Sequence, residues 1–232
     1  MRNVDLFLQR YNKLDALLRE RTGLGAEIPY AQVVERAAQK DAAVRRRKER
    51  LLAIGRLRNA IIHHREYPEQ ILADPRVETI KDLESLLAEI ENPVKVIPKY
   101  RREVKVFSDQ HFLIESLSYM KNNDFSQIVV LVEHQHTILS TEGIAKWLEN
   151  AREVGLADLE RALIADALEY EDQSICRYMS RSEPVDAAYE MFEKAIAKGI
   201  PRLQAVLITH NGQPHERPLG IITPWDLLGE PQ

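Results

Sequence analysis

One α/β pattern occurs twice in the second half of this chain, and that repetition limits the folds open to it more than any other feature. The order of signals is strand, helix, strand, strand, helix. In the first copy, short apolar runs at 104–107, 127–133 and 137–139 read as strands, and 109–122 reads as a helix with Ser108 or Asp109 as its N-cap. In the second copy, Ser182 or Glu183 opens a helix through Lys198, with Pro184 tolerated in its first turn and Gly199 ending it. A strand at 203–209, an Asn211-Gly212 turn, a strand at 219–222 and a short helix from Thr223 follow. The period is about 80 residues, too long for a solenoid. Two copies point to a pseudo-symmetric pair packed sheet to sheet, and the crevice between two such sheets is a natural ligand site. A helix at about 155–170 is expected to connect them.

The first 92 residues read as helix. Leu6, Phe7, Tyr11, Leu14, Leu17 and Leu18 recur at helical spacing within 5–20, and Gly23, Gly25 and Pro29 break the run. A second helical stretch covers about 30–64, with an interruption near its middle. A third covers about 75–90, with Val77, Ile80, Leu83, Leu86, Leu87 and Ile90 on one stripe. Pro93 and Pro98 then mark a linker. The fold class expected is α+β, an N-terminal all-α helical bundle (1–92) followed by the repeat pair (95–230). The first repeat lies at about 95–150 and the second at about 174–230.

Composition excludes several classes. The net charge of −4 gives no global attraction to nucleic acid. A single cysteine, Cys176, rules out an intramolecular disulfide framework and fits a reducing compartment. The amphipathic start lacks the apolar core of a signal peptide, and no apolar run reaches the roughly 20 residues that cross a bilayer. A cytoplasmic protein without membrane contact is expected. His111, His134, His136, His210 and His215 show no metal-ligand spacing, so no metal site is expected, and there is no Gly-rich phosphate loop.

The second copy ends in Gly220-Ile221-Ile222-Thr223-Pro224-Trp225-Asp226-Leu227. A buried strand here delivers Thr223 to a helix N-terminus, where its hydroxyl can cap the helix or meet a phosphate. Asp226 follows one turn later on the same side, where its carboxylate can accept from a ribose diol. The same residues also fit a purely structural role, Thr223 as N-cap and Asp226 as a first-turn acid.

The repeat together with this Gly-h-h-Thr-x-x-Asp signature resembles the tandem cystathionine-β-synthase-type (CBS) domain family, or Bateman modules, over about 95–228. The resemblance implies βαββα repeats, and Thr223 and Asp226 on the phosphate or ribose of AMP, ADP, ATP or S-adenosylmethionine as a regulatory ligand. The first copy departs from the pattern. In Thr137-Ile138-Leu139-Ser140-Thr141-Glu142-Gly143, Ser140 aligns with Thr223, but Gly143 stands where Asp226 does. Glu142 is one position early and about 100° round the helix. One complete site is therefore expected, not two. Arg202, just ahead of a core strand, is a further phosphate candidate, or a solvated strand-end charge.

In the helical half, Leu51-Leu52-Ala53-Ile54-Gly55-Arg56-Leu57-Arg58-Asn59-Ala60-Ile61-Ile62-His63-His64 places Leu51, Ile54, Leu57, Ile61 and Ile62 on one arc, with Arg58 inside it. An arginine in an apolar stripe needs a partner, either an internal carboxylate or a ligand phosphate. Asn59 and His63 share a face, so Asn59 can orient the His63 ring. His63 lies about 140° from Arg58. A shared site needs the helix to end near His63, or a second copy of the domain.

This all-helical domain with Arg-Asn-x-x-x-His resembles the HEPN superfamily (higher eukaryotes and prokaryotes nucleotide-binding). The resemblance implies a metal-independent endoribonuclease acting as a homodimer on RNA without a catalytic cofactor. His63 would be its acid or base, Arg58 its transition-state cation and Asn59 their support. Other members of that superfamily are non-catalytic and only dimerise or dock a partner. Arg45, Arg46, Arg47, Lys48 and Arg50 read either as a solvated charged helix or as an electrostatic contact with RNA phosphates. No aromatic platform interleaves with them.

Overall fold

A computed structural model of the chain describes residues 2–63, 74–153, 159–199 and 203–228. The chain divides into two compact units. One is Met1–Val94 with Pro184–Ala187, and the other is Lys95–Glu183 with Ala188–Gln232. The protein is of the α+β class, a helical unit and a unit of two small mixed sheets with flanking helices.

The helical unit contains α1 (Asn3–Thr22), α2 (Tyr30–Lys40), α3 (Ala42–Arg46), α4 (Lys48–His63) and α5 (Val77–Glu91). On α1 the buried residues Val4, Phe7, Tyr11, Leu14 and Leu18 are spaced three and four apart, the period of one helical face. They pack with Leu51, Ile54 and Ile61 of α4 and Leu83, Leu86 and Ile90 of α5 in one core. Val77, expected on the apolar stripe of α5, is 49% exposed at its first turn. The stretch expected as one helix with a single interruption breaks twice. At Asp41 the backbone turns extended, and its carboxylate accepts from the N–H groups of Ala43 and Val44, which starts α3. At Arg47 the chain turns again before α4.

The second unit begins with the short α6 (Val96–Lys99), then β1 (Val106–Ser108), α7 (Leu113–Asn123), β2 (Gln127–Val132), β3 (Gln135–Ser140) and α8 (Thr141–Glu153). After α9 (Ile164–Leu168) come β4 (Cys176–Ser180), α10 (Val185–Ala197), β5 (Ala205–Thr209), β6 (Gly220–Ile222) and α11 (Pro224–Leu228). Both sheets have the same topology. β1 is parallel and β3 antiparallel to the central β2, and β4 is parallel and β6 antiparallel to the central β5.

Alternation along the strands explains the layering. Ile128 and Val130 of β2 and Leu139 of β3 join the helix-side core with Leu113, Met120, Ile144 and Trp147. Their neighbours Val129 and Ile138 face the other way and pack with Ile175, Cys176, Ala205 and Leu207 of the second repeat. The repeats thus meet sheet to sheet.

Three local expectations are corrected. The helix expected from 109 begins at Leu113, because Phe112 is drawn into a bridge with Leu163 and the Leu113 N–H bonds the Ala162 carbonyl. Ser108 instead stabilises the preceding turn, its hydroxyl accepting from the Gln110 N–H. The long connecting helix is, among the described residues, the five-residue α9. It starts after extended Leu163, whose N–H is taken by Asp166. Strand β4 carried no clear sequence signal. Asn211-Gly212 turns, with Gly212 at φ 79°, but inside a longer loop tied by Glu216, which accepts from the Asn211 backbone and side chain.

Candidate functional site

The segment ahead of β1 and the end of the second repeat come together within the second unit. Arg101 bridges Gly220 across the edge of β6, and the Arg102 N–H bonds the Leu219 carbonyl. This pairing explains the glycine at the head of the motif. A methyl group on Gly220 would run into the Tyr100 carbonyl oxygen, a backbone atom that cannot step aside.

The same pairing delivers Arg102, which sequence reasoning missed. Its Nε donates to the Ile221 carbonyl at 3.0 Å and its Nη2 to Asp226 Oδ2 at 2.8 Å. Asp226 Oδ2 also accepts from the Thr223 backbone N–H at 2.7 Å and the Thr223 hydroxyl at 2.8 Å. Asp226 thus takes the role of first-turn acid of α11, and among the described residues the Thr223 hydroxyl is spent on that carboxylate rather than on a helix N–H. All three bonds fall on Oδ2, and Oδ1 has no partner among the described residues. Burial alone would raise the Asp226 carboxyl. The bonds from Thr223 and the Arg102 guanidinium outweigh it and hold the group below the usual carboxylate range.

This carboxylate lines a cavity of about 450 Å³ shared by both repeats. Arg102, Ile128 and Val129 come from the first repeat, and Ile221, Thr223 and Asp226 from the second. Tyr119, Phe125 and Trp225 add aromatic surface. Glu103, Lys105 and Asp124 line it as well, so apolar and aromatic surface alternates with charge, and the aromatic faces suit a purine. A larger opening of about 680 Å³ adjoins it through Ser126, Gln127, Thr223 and Trp225 and is bordered by Glu142, while Arg102 and Asp226 line the smaller one.

The first repeat ends differently. Ser140 is 1% exposed and its Oγ accepts from the Gly143 N–H at 3.1 Å, so it caps α8. Arg202 lies outside the described residues.

In the helical unit, Arg58 is half-buried and its guanidinium lies 5.6 Å from the centroid of the Tyr11 ring. Among the described residues, the partner that its place in the apolar arc demands is an aromatic face and not a carboxylate. Its Nη1 donates to Asn59 Oδ1 at 3.3 Å, while its buried Nε finds no partner among the described residues. Burial, with Asp15 nearby, pushes the Tyr11 phenol up to about 12. His63 ends α4, and its side chain lies outside the described residues.

The basic run is largely engaged inside the unit. Arg47 pairs with Glu89 and with Asp186, which groups with this unit, and Lys48 pairs with Glu35 at 2.7 Å. Arg45 donates to the carbonyls of Ala38 and Gln39, and Arg46 lies 3.4 Å from Asp186. Cys176 is buried between the sheets, and burial pushes its thiol up to about 12. Among the described residues no three His, Cys, Asp or Glu side chains gather as a metal site would, and no helix is long and apolar enough to cross a membrane.

No protein-family model matches the chain, and no curated protein matches it. Solved structures are similar to it over part of its length, several of them CBS-domain proteins by name. An acetoin utilization protein (AcuB) from Vibrio cholerae is 12% identical, covers 59% of this chain and 89% of its own, and has a TM-score of 0.45. The CBS domain pair of protein MJ0100, solved with 5′-methylthioadenosine and S-adenosyl-L-methionine, is 16% identical over 59% of this chain and 94% of its own, with a TM-score of 0.42. The CBS domain of a CBS domain containing membrane protein from Sphaerobacter thermophilus is 16% identical over 66% of this chain and 96% of its own, with a TM-score of 0.47.

Proposed function

We propose that the region 95–230 is a regulatory module that binds an adenine nucleotide, with Asp226 holding the ribose diol and Thr223 beside it. The observation that carries this reading is the Asp226 carboxylate. It is held below the usual carboxylate range, fixed through one oxygen by Thr223 and Arg102, and without a partner at the other among the described residues, on the wall of a partly aromatic cavity. Ser140, and Arg202 ahead of β5, are further candidate contacts. AMP, ADP, ATP and S-adenosylmethionine are the ligands to test by calorimetry. Asp226→Ala should weaken binding at this cavity by about 10- to 100-fold, the worth of a hydrogen bond to a charged group. Unchanged affinity would move the site elsewhere.

The helical region 1–92 is what such a module would regulate, through a population shift in a homodimer. An RNA-cleaving role for Arg58, Asn59 and His63 is favoured by one observation, the buried Arg58 Nε that finds no partner among the described residues. The internal pairing of Arg45, Arg46, Arg47 and Lys48 favours the other reading, a non-catalytic unit that dimerises or docks a partner. RNA cleavage by wild type and His63→Ala, with and without AMP or ATP, separates the two. Loss of cleavage in the variant supports the ribonuclease, and activity unaffected by the substitution contradicts it.

A further inference from the structure

The cavity beside Asp226 is lined by more charge than the diol reading uses. Two cations, Arg102 and Lys105, stand against three carboxylates, Glu103, Asp124 and Asp226. Arg102 is spent on Asp226, at 2.8 Å. Lys105 lies over aromatic rings, its Nζ 4.6 Å from the centroid of Phe107 and 4.5 Å from that of Tyr119. Glu103 and Asp124 have no ion-pair partner among the described residues. Asp124 is the C-cap residue of α7, where the backbone turns left-handed at φ 55°.

A carboxylate without a counterion in a ligand cavity discriminates by charge. It attracts positive charge on whatever enters and repels negative charge, and so works against one ligand as well as for another. The aromatic wall acts in the same sense, because ring faces attract cations, and Phe107 and Tyr119 already hold Lys105 that way. Each phosphate on an adenosine adds negative charge. A phosphate chain running on into the adjoining opening would meet the border formed by Glu142.

We infer that Glu103 and Asp124 are specificity-determining residues of this cavity, which make it select adenosine ligands by the charge at the 5′ position and take a cationic or singly phosphorylated ligand over a triphosphate. The inference rests on the reading of Asp226 as the diol acceptor. Asp226 reads the sugar that all these ligands share, and Glu103 and Asp124 read the 5′ group by which they differ.

Calorimetry in low salt with adenosine, S-adenosylmethionine, AMP and ATP tests this. The proteins are wild type, Asp226→Ala, and Glu103→Gln combined with Asp124→Asn. Asparagine is at home in the left-handed region, so the double variant keeps the turn that ends α7. Wild type should bind ATP more weakly than AMP. The double variant should bind ATP about threefold to tenfold more tightly and S-adenosylmethionine more weakly by a similar factor, the worth of exposed charges, while adenosine changes by less than about twofold. Both shifts should fade in high salt. Shifts of all four ligands in the same direction would overturn the selectivity, and so would ATP bound more tightly than AMP by wild type. ATP binding that requires magnesium and is lost in the double variant would also overturn it, because the two acids would then hold the metal. If Asp226→Ala weakens every ligand and the double variant moves none, the selectivity falls and the Asp226 reading stands. If Asp226→Ala moves none and the double variant shifts ATP and S-adenosylmethionine in opposite directions, the Asp226 reading falls and the selectivity stands. No ligand moved by either variant, or no binding by folded wild type, overturns both.

Discussion

At the end of the second repeat, the carboxylate rides on α11, at Asp226, and the segment ahead of β1 brings a guanidinium to it. At the end of the first, α8 offers Gly143, and the segment ahead of β4 brings the carboxylate of Glu171. The backbone frames are alike: a strand, a hydroxyl residue at its end, a helix, and a crossing segment from the other repeat. What differs is which chain segment carries the charge. The comparison teaches that the frame alone brings a carboxylate to the backbone N–H at the end of each repeat, from the helix at one end and from across the pair at the other.

The glycines should separate the two ends most sharply. Gly220→Ala places a methyl group against the Tyr100 carbonyl, so strand β6 or its partner must shift. A loss of about 1–3 kcal/mol is expected in chemical denaturation, as for overpacking elsewhere. Gly143→Ala meets only the tip of a flexible glutamate and should cost less than about 1 kcal/mol. Equal costs would break the account of how each crossing segment fits.

Asp226 gives a smaller, pH-dependent effect. Its folded-state pKa lies below the ordinary value, so its stabilising contribution is present above about pH 4 and is lost as pH falls through the folded value. The melting temperature of wild type should exceed that of Asp226→Asn at pH 7, and the gap should close in acid. Arg102→Met should shrink the gap at pH 7, because the guanidinium is one of the groups holding the carboxylate ionised. A gap that does not narrow as the pH falls below about 4 would contradict the assignment of the shift to these bonds.

The smallest effect concerns the seam between the sheets, where Cys176 is buried with its thiol raised to about 12. A disulfide reagent at pH 8 should label it only on unfolding. Rapid labelling of the native protein would show that the repeats part at the seam, and both ends would then need re-examination.

Much of the fold was legible because it follows from local periodicity. The three-and-four spacing of Phe7, Tyr11, Leu14 and Leu18 fixes α1, and the apolar run at 127–132 fixes β2. Strand β4 was not legible. Cys176-Arg177-Tyr178-Met179-Ser180 has a charged residue and few strongly apolar ones, and its identity as a strand comes from pairing with β5. The motif at Thr223 and Asp226 was readable because its residues are adjacent in sequence. Arg102 and Glu171 were not, because long-range pairing brings them to sites 124 and 31 residues away. The pairing of the basic run from Arg45 was not legible for a related reason. Its neutralising partners, Glu35, Glu89 and Asp186, are distant in sequence.

The central claim is that the Asp226 carboxylate holds a ribose diol. A thermodynamic cycle between AMP and 2′,3′-dideoxy-AMP, with and without Asp226→Ala, tests it most directly. Removing the diol should weaken binding by about tenfold or more when Asp226 is present and by less than about twofold when it is not. An equal loss in both proteins would contradict the claim, because the diol would then be read by some other group.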